Sequence, residues 1–283
     1  MPRVMVLGSS GMAGHMITAA LKRARIPVMN YARDSVFNDT RYLELGDIDD
    51  EIFAYKPDIV INCVGMLVQA SKEHPEQANY VNNLHPRLTA KYCYDQGIKF
   101  IHLSTDCVFT GKTKTWYNES SPPDATDPYG VSKTKGEACK HHGLVIRTSI
   151  IGPEIREAKH PGLFEWFVNN KNPVYGWDHA IWSGVTTYEL AKYLIFLIEN
   201  GVPNCQGIMH LCNNEPISKY ELLRTINSVY GLNKRLHKVV KPEKINKYIR
   251  TTTLEKEYEV PCYETQIRDM KKHYKLLKDV YVK

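Results

Sequence analysis

The chain has 283 residues, 43% of them hydrophobic and 24% charged, with a formal net charge of +6. That balance excludes disorder and gives enough length for a large core with a second, smaller lobe. The positive charge is densest at Lys234, Arg235, Lys238, Lys241, Lys244 and Lys247. Without aromatic interleaving or a recognised motif it reads as a solvated face, and no nucleic-acid partner is expected. Seven scattered cysteines with no C-x-x-C pair argue against a disulfide framework and against a zinc site, so no metal is expected. The longest strongly apolar stretch, Tyr193 to Ile198, is far too short to span a bilayer, and no membrane partner is expected. The first strand begins close to Met1 and leaves no room for a signal segment, so a cytoplasmic address is expected.

Val4 to Gly14 reads Val-Met-Val-Leu-Gly-Ser-Ser-Gly-Met-Ala-Gly, an apolar run that feeds three glycines. Met16, Ile17, Ala20 and Leu21 follow at helical spacing. Strand, glycine turn and helix in that order suit a dinucleotide site: the turn is sharp, the pyrophosphate touches backbone, and the helix packs on the strand. Gly8, Ser10, Gly11, Met12 and Gly14 are the expected phosphate-loop residues. The spacing is G-x-x-G-x-x-G, a variant of the usual fingerprint that needs its context.

Pro27 to Tyr31 reads as the second strand. Its tip overlies the adenosine ribose in such a sheet, where an arginine pairs with a 2'-phosphate and an acid binds the 2'-hydroxyl. Arg33 stands there beside Asp34, so NADPH is the expected cofactor and NADH stays open. A surface arginine in a loop is the bland alternative. A third short strand ends at Leu43 to Ile48 and brings Asp47 and Ile48 to the adenine edge, although a helix-capping role for Asp47 or Asp49 accounts for the acids equally well. Pro57 to Gly65 is a buried strand that delivers Cys63, Val64 and Gly65 to the cofactor crevice. Pro75 to Asp95 has a long helical pattern interrupted at Pro86, with Asn82 inside it. Lys99 to Leu103 is the next strand and brings Ser104, Thr105 and Asp106 to its tip. His102, inside that apolar strand, reads as a packed core histidine.

Asp127 can cap a helix and Pro128 suits its first position. Tyr129 and Lys133 then lie one turn apart on one face. A tyrosine titrates near 10, but a neighbouring ammonium and a positive helix end favour the phenolate, so Tyr129 is expected to have a lowered pKa and to act as a proton donor. Y-x-x-x-K also recurs by chance in a chain with 18 tyrosines. The glycine loop and Ser104-Thr105-Asp106 ahead of it make the pattern specific.

These residues resemble the extended branch of the short-chain dehydrogenase/reductase superfamily, and within it the dTDP-4-dehydrorhamnose reductases. The resemblance is carried by Gly8 to Gly14, Ser104-Thr105-Asp106-Cys107-Val108-Phe109-Thr110-Gly111, Tyr129 to Lys133, and Arg147-Thr148-Ser149-Ile150-Ile151-Gly152. It departs at Cys107, where an aromatic is usual, and over Asn62 to Gln69, where an alanine-rich segment is usual. The resemblance implies an NADPH-dependent reductase of a nucleotide-linked 4-keto-6-deoxy sugar in surface polysaccharide synthesis. Tyr129 would protonate the ketone oxygen, Lys133 would bind the nicotinamide ribose, and Thr105 would hydrogen-bond the carbonyl. Ser104 and Ile150 would line the cofactor, and Met66, Gln69, Asp106 and Cys107 the sugar nucleotide. A sugar-nucleotide epimerase and a non-catalytic regulatory subunit of the same fold are the competing readings.

After Gly152 the strand and helix alternation breaks. An aromatic helix from His160 to Phe167 and a tryptophan-rich loop from Trp177 to Val185 follow, with Trp177 and Trp182 as candidates for stacking on the substrate. Thr187 to Glu199 is an amphipathic helix, and Ser218 with Glu221 forms a capping box. The expected architecture is α/β: a Rossmann-type doubly wound parallel sheet (1–155 plus 180–213) with a smaller α/β substrate-binding C-terminal lobe (156–179 plus 214–283). A homodimer stays open.

Overall fold

The computed structural model describes residues 1–33, 37–42, 44–112, 115–155, 161–202, 206–240, 245–251 and 258–277. The chain opens with β1 (Val4–Leu7), α1 (Met12–Arg23), β2 (Val28–Ala32) and β3 (Arg41–Tyr42), followed by α2 (Ile48–Tyr55) and β4 (Ile59–Asn62). Next come α3 (Val68–Glu73), α4 (Pro75–Asn79), a widened π-turn over Tyr80–Leu84, α5 (His85–Asp95), β5 (Lys99–Thr105), α6 (Pro128–Gly136), β6 (Leu144–Thr148) and β7 (Ile150–Ile151). The remainder holds α7 (Leu163–Asn169), β8 (Val174–Trp177), β9 (Ala180–Trp182), β10 (Val185–Thr186), α8 (Thr187–Glu199), β11 (Gly207–His210), β12 (Ile217–Ser218), α9 (Lys219–Tyr230), β13 (Leu236–Val239), β14 (Ile245–Asn246) and α10 (Tyr263–Leu277).

Seven strands form one parallel sheet in the order β11-β6-β5-β4-β1-β2-β3. It is the doubly wound Rossmann arrangement. Side chains alternate across it as the pleat requires: Val4 and Val6 enter one apolar core with α1 and α8, whereas Met5 and Leu7 enter another with Ile52, Ala90 and Phe100. Both faces are covered, which is why the strands read as continuous apolar runs. The strand order reverses between β1 and β4, so the crevice at their carboxyl ends is where such a sheet binds ligands.

Several local expectations shift. Leu45–Asp47 is a 3-10 turn and the third strand is only Arg41–Tyr42. Asp47 holds the cap position of α2, yet its side chain makes no capping bond. The break in the long helix is the π-turn just ahead of Pro86, whose missing amide cannot bond back into the preceding turn. Trp177 to Val185 is no loop: β8, β9 and β10 pair with β13, with β12 and β14, and with β7. At Ser218 the capping box is half made. Ser218 Oγ accepts from Glu221 N at 3.2 Å, but the Glu221 carboxylate turns to Arg224 Nε at 2.7 Å.

Candidate active site

The glycine loop leaves the crevice open to an anion. Gly8 has a left-handed φ of 80°, a conformation that glycine adopts without steric cost. A Cβ at Gly14 would lie 2.1 Å from Gly8 O, so α1 starts closer to the strand end than any side chain allows. Gly11 precedes the helix; no side chain caps it and no acid stands in the first turn. The first-turn amides and the positive end of the helix therefore suit a pyrophosphate. Ser10 and Met12 lie half-buried along the same loop.

The other expected cofactor residues fall into place unevenly. Cys63 N donates to Leu7 O at 2.9 Å, which sets Cys63, Val64 and Gly65 beside the loop at the switch point. Arg33 is exposed directly after β2, while Asp34 lies outside the described residues. Asp47 is exposed, but Ile48 is buried in the core with Tyr31 and Ile52. Ile150 is half-buried in β7. A cavity at the opposite end of the sheet, among Pro2, Phe53, Lys56 and Val202, faces the amino ends of the strands and belongs to no part of this crevice.

Tyr129 is placed by the cap and by a close approach. Asp127 Oδ1 accepts from Gly130 N at 3.1 Å, and Pro128 fills the first helical position. A Cβ at Gly130 would lie 2.4 Å from Cys107 O, so α6 starts directly on the tip of β5. That start brings Tyr129 close to Thr105 at the strand tip. Thr105 Oγ1 also donates to Asp106 Oδ1 at 3.2 Å and accepts from Cys107 N at 3.1 Å.

Lys133 shares the face of α6 with Tyr129 but does not serve it as the sequence suggests. Its Nζ donates to Leu103 O at 2.7 Å and lies 3.1 Å from His102 Nε2. Burial pushes the Tyr129 hydroxyl well above the usual phenol range, the Cys107 thiol adds to this, and only the Thr105 hydrogen bond opposes it among the leading causes. The expected lowering is thus reversed, because desolvation of a phenolate outweighs a cation that is turned elsewhere. Burial also lowers Lys133 to about 8.

The candidate substrate residues divide in the same way. Asp106 is buried and Cys107 half-buried at the tip of β5, and burial raises the Cys107 thiol to about 11. Met66 is held by Asn82, which accepts from its amide at 2.9 Å and donates to its carbonyl at 3.1 Å. Gln69 instead donates along α3 to Glu73 Oε1 at 2.7 Å. Trp177 is 39% exposed, but Trp182 is only 3% exposed, with its indole N–H on Ser149 Oγ at 2.8 Å. Trp182 is therefore a packed wall.

Some residues went unread in the sequence. The fold brings Lys219, at the start of α9, to 5.6 Å above the Trp182 ring, and sets Lys247 near Cys107. Nothing in the charge-rich C-terminal third marked these two lysines among so many. Ser104 is drawn away from the crevice and donates to Glu137 Oε1 at 2.7 Å. His102 is buried as expected, yet it touches Lys133. The one sequence signal for that was its place two residues before Ser104.

Among known proteins, the RmlD substrate binding domain family matches residues 2–268. The chain belongs to this family. The RmlD fold also accounts for the likeness to a solved dTDP-4-dehydrorhamnose reductase from Bacillus anthracis in complex with NADP: TM-score 0.79, 19% identity, 95% of this chain and 98% of that one. Among curated relatives of this RmlD-family chain, the probable low-salt glycan biosynthesis reductase Agl14 of Haloferax volcanii is 33% identical over 52% of each chain. A dTDP-4-keto-6-deoxy-D-glucose reductase of Streptomyces niveus is 26% identical over 81% of this chain and 79% of its own. Methionine adenosyltransferase 2 subunit beta of Xenopus tropicalis is 25% identical over 81% and 72%. Among the described residues no helix is long and apolar enough to cross a membrane.

Proposed function

We propose that this chain is an NADPH-dependent reductase of the 4-keto group of a nucleotide-activated 6-deoxy sugar, serving surface polysaccharide synthesis. The observation that carries the reading is the packing of the start of α6, which holds Tyr129 with Lys133 one turn on, against the tip of β5 that holds Thr105, together with the uncapped glycine loop of α1. A phenol kept protonated by burial is a competent general acid only where the product oxyanion needs a proton, and a ketone accepting hydride is such a case. Thr105 orients the carbonyl, Tyr129 gives the proton, and Lys133 holds the nicotinamide ribose.

NADPH, when bound, supplies the hydride. The loop from Gly8 to Gly14 would hold its pyrophosphate and Arg33 its 2'-phosphate. Asp106, Cys107, Met66 and Trp177 would line the sugar nucleotide, with the lobe formed by 156–179 and 214–283 closing over it. The relatives named as reductases support this reading.

The test is NADPH oxidation, followed by absorbance, with dTDP-, UDP- and GDP-4-keto-6-deoxy sugars generated in place by their dehydratases. Stoichiometric consumption with one nucleotide is the expected result. Binding of NADPH without consumption by any of them would favour a regulatory subunit or an epimerase.

A further inference from the structure

We infer that Lys219 and Lys247 form a two-pronged clamp for the phosphate on C1 of the sugar substrate, one sugar ring away from Thr105 and Tyr129. The inference rests on the reading of that pair as the carbonyl site and adds how the substrate is anchored. Two segments far apart in sequence bring the lysines together. β9 is the middle strand of a three-stranded sheet, with β12 on one side and β14 on the other. Ser218 of β12 and Asn246 of β14 both pair with Ile181, and each lysine is the next residue. The second segment is tied to the loop that follows β5. Asn246 N donates to Gly111 O at 2.9 Å, Asn246 Nδ2 to Thr115 O at 2.7 Å, and Arg250 N to Tyr117 O at 2.8 Å. This seam carries Lys247 to Cys107 at the tip of β5. On the other side the Trp182 ring, fixed through its indole N–H on Ser149 Oγ at 2.8 Å, lies 5.6 Å beneath Lys219 Nζ.

Both lysines are half-buried, and among the described residues no carboxylate oxygen lies within 4.0 Å of either ammonium. Lys238 of β13 shows the contrast, with Asp178 at 3.0 Å. Asp106 is the carboxylate that faces both lysines, and Asp127 faces Lys247 as well. Each is already committed: Asp106 to the Thr105 hydroxyl at 3.2 Å, Asp127 to Gly130 N at 3.1 Å. Burial pulls Lys219 below the usual lysine range against the opposing pull of Asp106 and Cys107, and the charge on Lys247 adds to the lowering. Two cations drawn together partly out of water, with no carboxylate on either, are arranged for an anion that arrives with the ligand.

A phosphate suits them, because an ammonium is a point charge with three donors and meets phosphate oxygens from any direction. Position selects which phosphate. In a pyranose C1 lies across the ring from C4, so a ketone held by Thr105 and Tyr129 sends the C1 oxygen past Asp106 and Cys107, where the two lysines stand. Cys107, at a position where an aromatic is usual, is small enough to leave that approach open.

The test uses the full chain saturated with NADP+, so that the glycine loop is occupied. It is titrated by calorimetry with inorganic pyrophosphate and with dTDP, UDP and GDP, whose terminal phosphate stands in for the one on C1. Lys219→Met and Lys247→Met keep the apolar stem and remove the charge. Each should weaken binding of pyrophosphate, and of the nucleotide that the parent prefers, by about tenfold or more. NADP+ affinity should stay as it is, and the melting temperature should hold or rise because a repulsion is relieved. No binding of any of the four by the parent, or parental binding in either variant, overturns the inference. So does a loss accompanied by a lower melting temperature and an equal loss of NADP+ affinity, the mark of a structural role. If these losses appear but no 4-keto sugar is reduced, the reductase reading fails and the phosphate clamp stands.

Discussion

Arg147 and Glu137 form a two-pronged ion pair, Nη2 to Oε2 at 2.7 Å and Nε to Oε1 at 2.8 Å, with side chains only 2% and 4% exposed. Ser104 Oγ donates to the same carboxylate at 2.7 Å, so this one pair ties β5, β6 and the end of α6 behind the catalytic residues. Arg147→Met would strand the Glu137 carboxylate in the core and is expected to cost about 3–5 kcal/mol. Denaturant unfolding reads the loss, and adding Glu137→Leu should recover much of it. A single mutant as stable as the parent would show that the pair is not what joins these elements.

Tyr129→Phe removes the general acid while keeping the ring. Turnover is expected to fall by roughly 10²–10⁴-fold with the melting temperature unchanged. Thr105→Val should lower turnover as well, since it takes away the hydroxyl proposed to orient the carbonyl. Parental turnover in Tyr129→Phe would remove the mechanism altogether.

Gly14→Ala sets a methyl 2.1 Å from the Gly8 carbonyl oxygen, and backbone, not a yielding side chain, is what it strikes. Loss of both stability and NADPH affinity is the expected outcome, read by thermal melting and by fluorescence titration. Gly46 is the control: a Cβ there meets nothing within 4 Å, so Gly46→Ala should change neither.

Arg33→Ala tests cofactor choice. If Arg33 pairs with the 2'-phosphate, the KM for NADPH should rise about tenfold while that for NADH moves little, the size expected for one exposed charge-assisted contact. Equal effects on the two cofactors would return Arg33 to an ordinary loop residue.

Acid should weaken the fold through its buried histidines. His15 is fully buried, pulled down to about 4 chiefly by burial, and held on the Pro153 carbonyl at 2.9 Å. The unfolded chain takes up that proton near 6.5, so the native state is fully favoured above this value and loses stability as pH falls toward 4. The shift corresponds to about 3 kcal/mol for His15. Melting curves from pH 7 to 4.5 should show the decline, and His15→Gln should reduce it while His85, His102, His210 and His273 keep their share.

Order and periodicity along the chain were enough to determine the sheet, the glycine turn and the helix carrying Tyr129 and Lys133. Each of these rests on local rules: apolar runs for strands buried on both faces, glycine where backbone must touch backbone, an aspartate and a proline at a helix start. What those rules could not reach was the direction in which side chains spend their hydrogen bonds. Lys133 lies on the face of α6 that its spacing predicts, yet it turns to His102 and Leu103, groups about thirty residues away in sequence and adjacent only because α6 packs on β5. Burial of the same interface raises Tyr129 where a neighbouring cation had suggested the opposite. Trp182 became a wall and Lys219 its neighbour through pairing of short strands too brief to leave a periodic signal. Local sequence settled which elements meet at the crevice; desolvation and long-range packing, which exist only in the folded chain, decided which groups their side chains turn to.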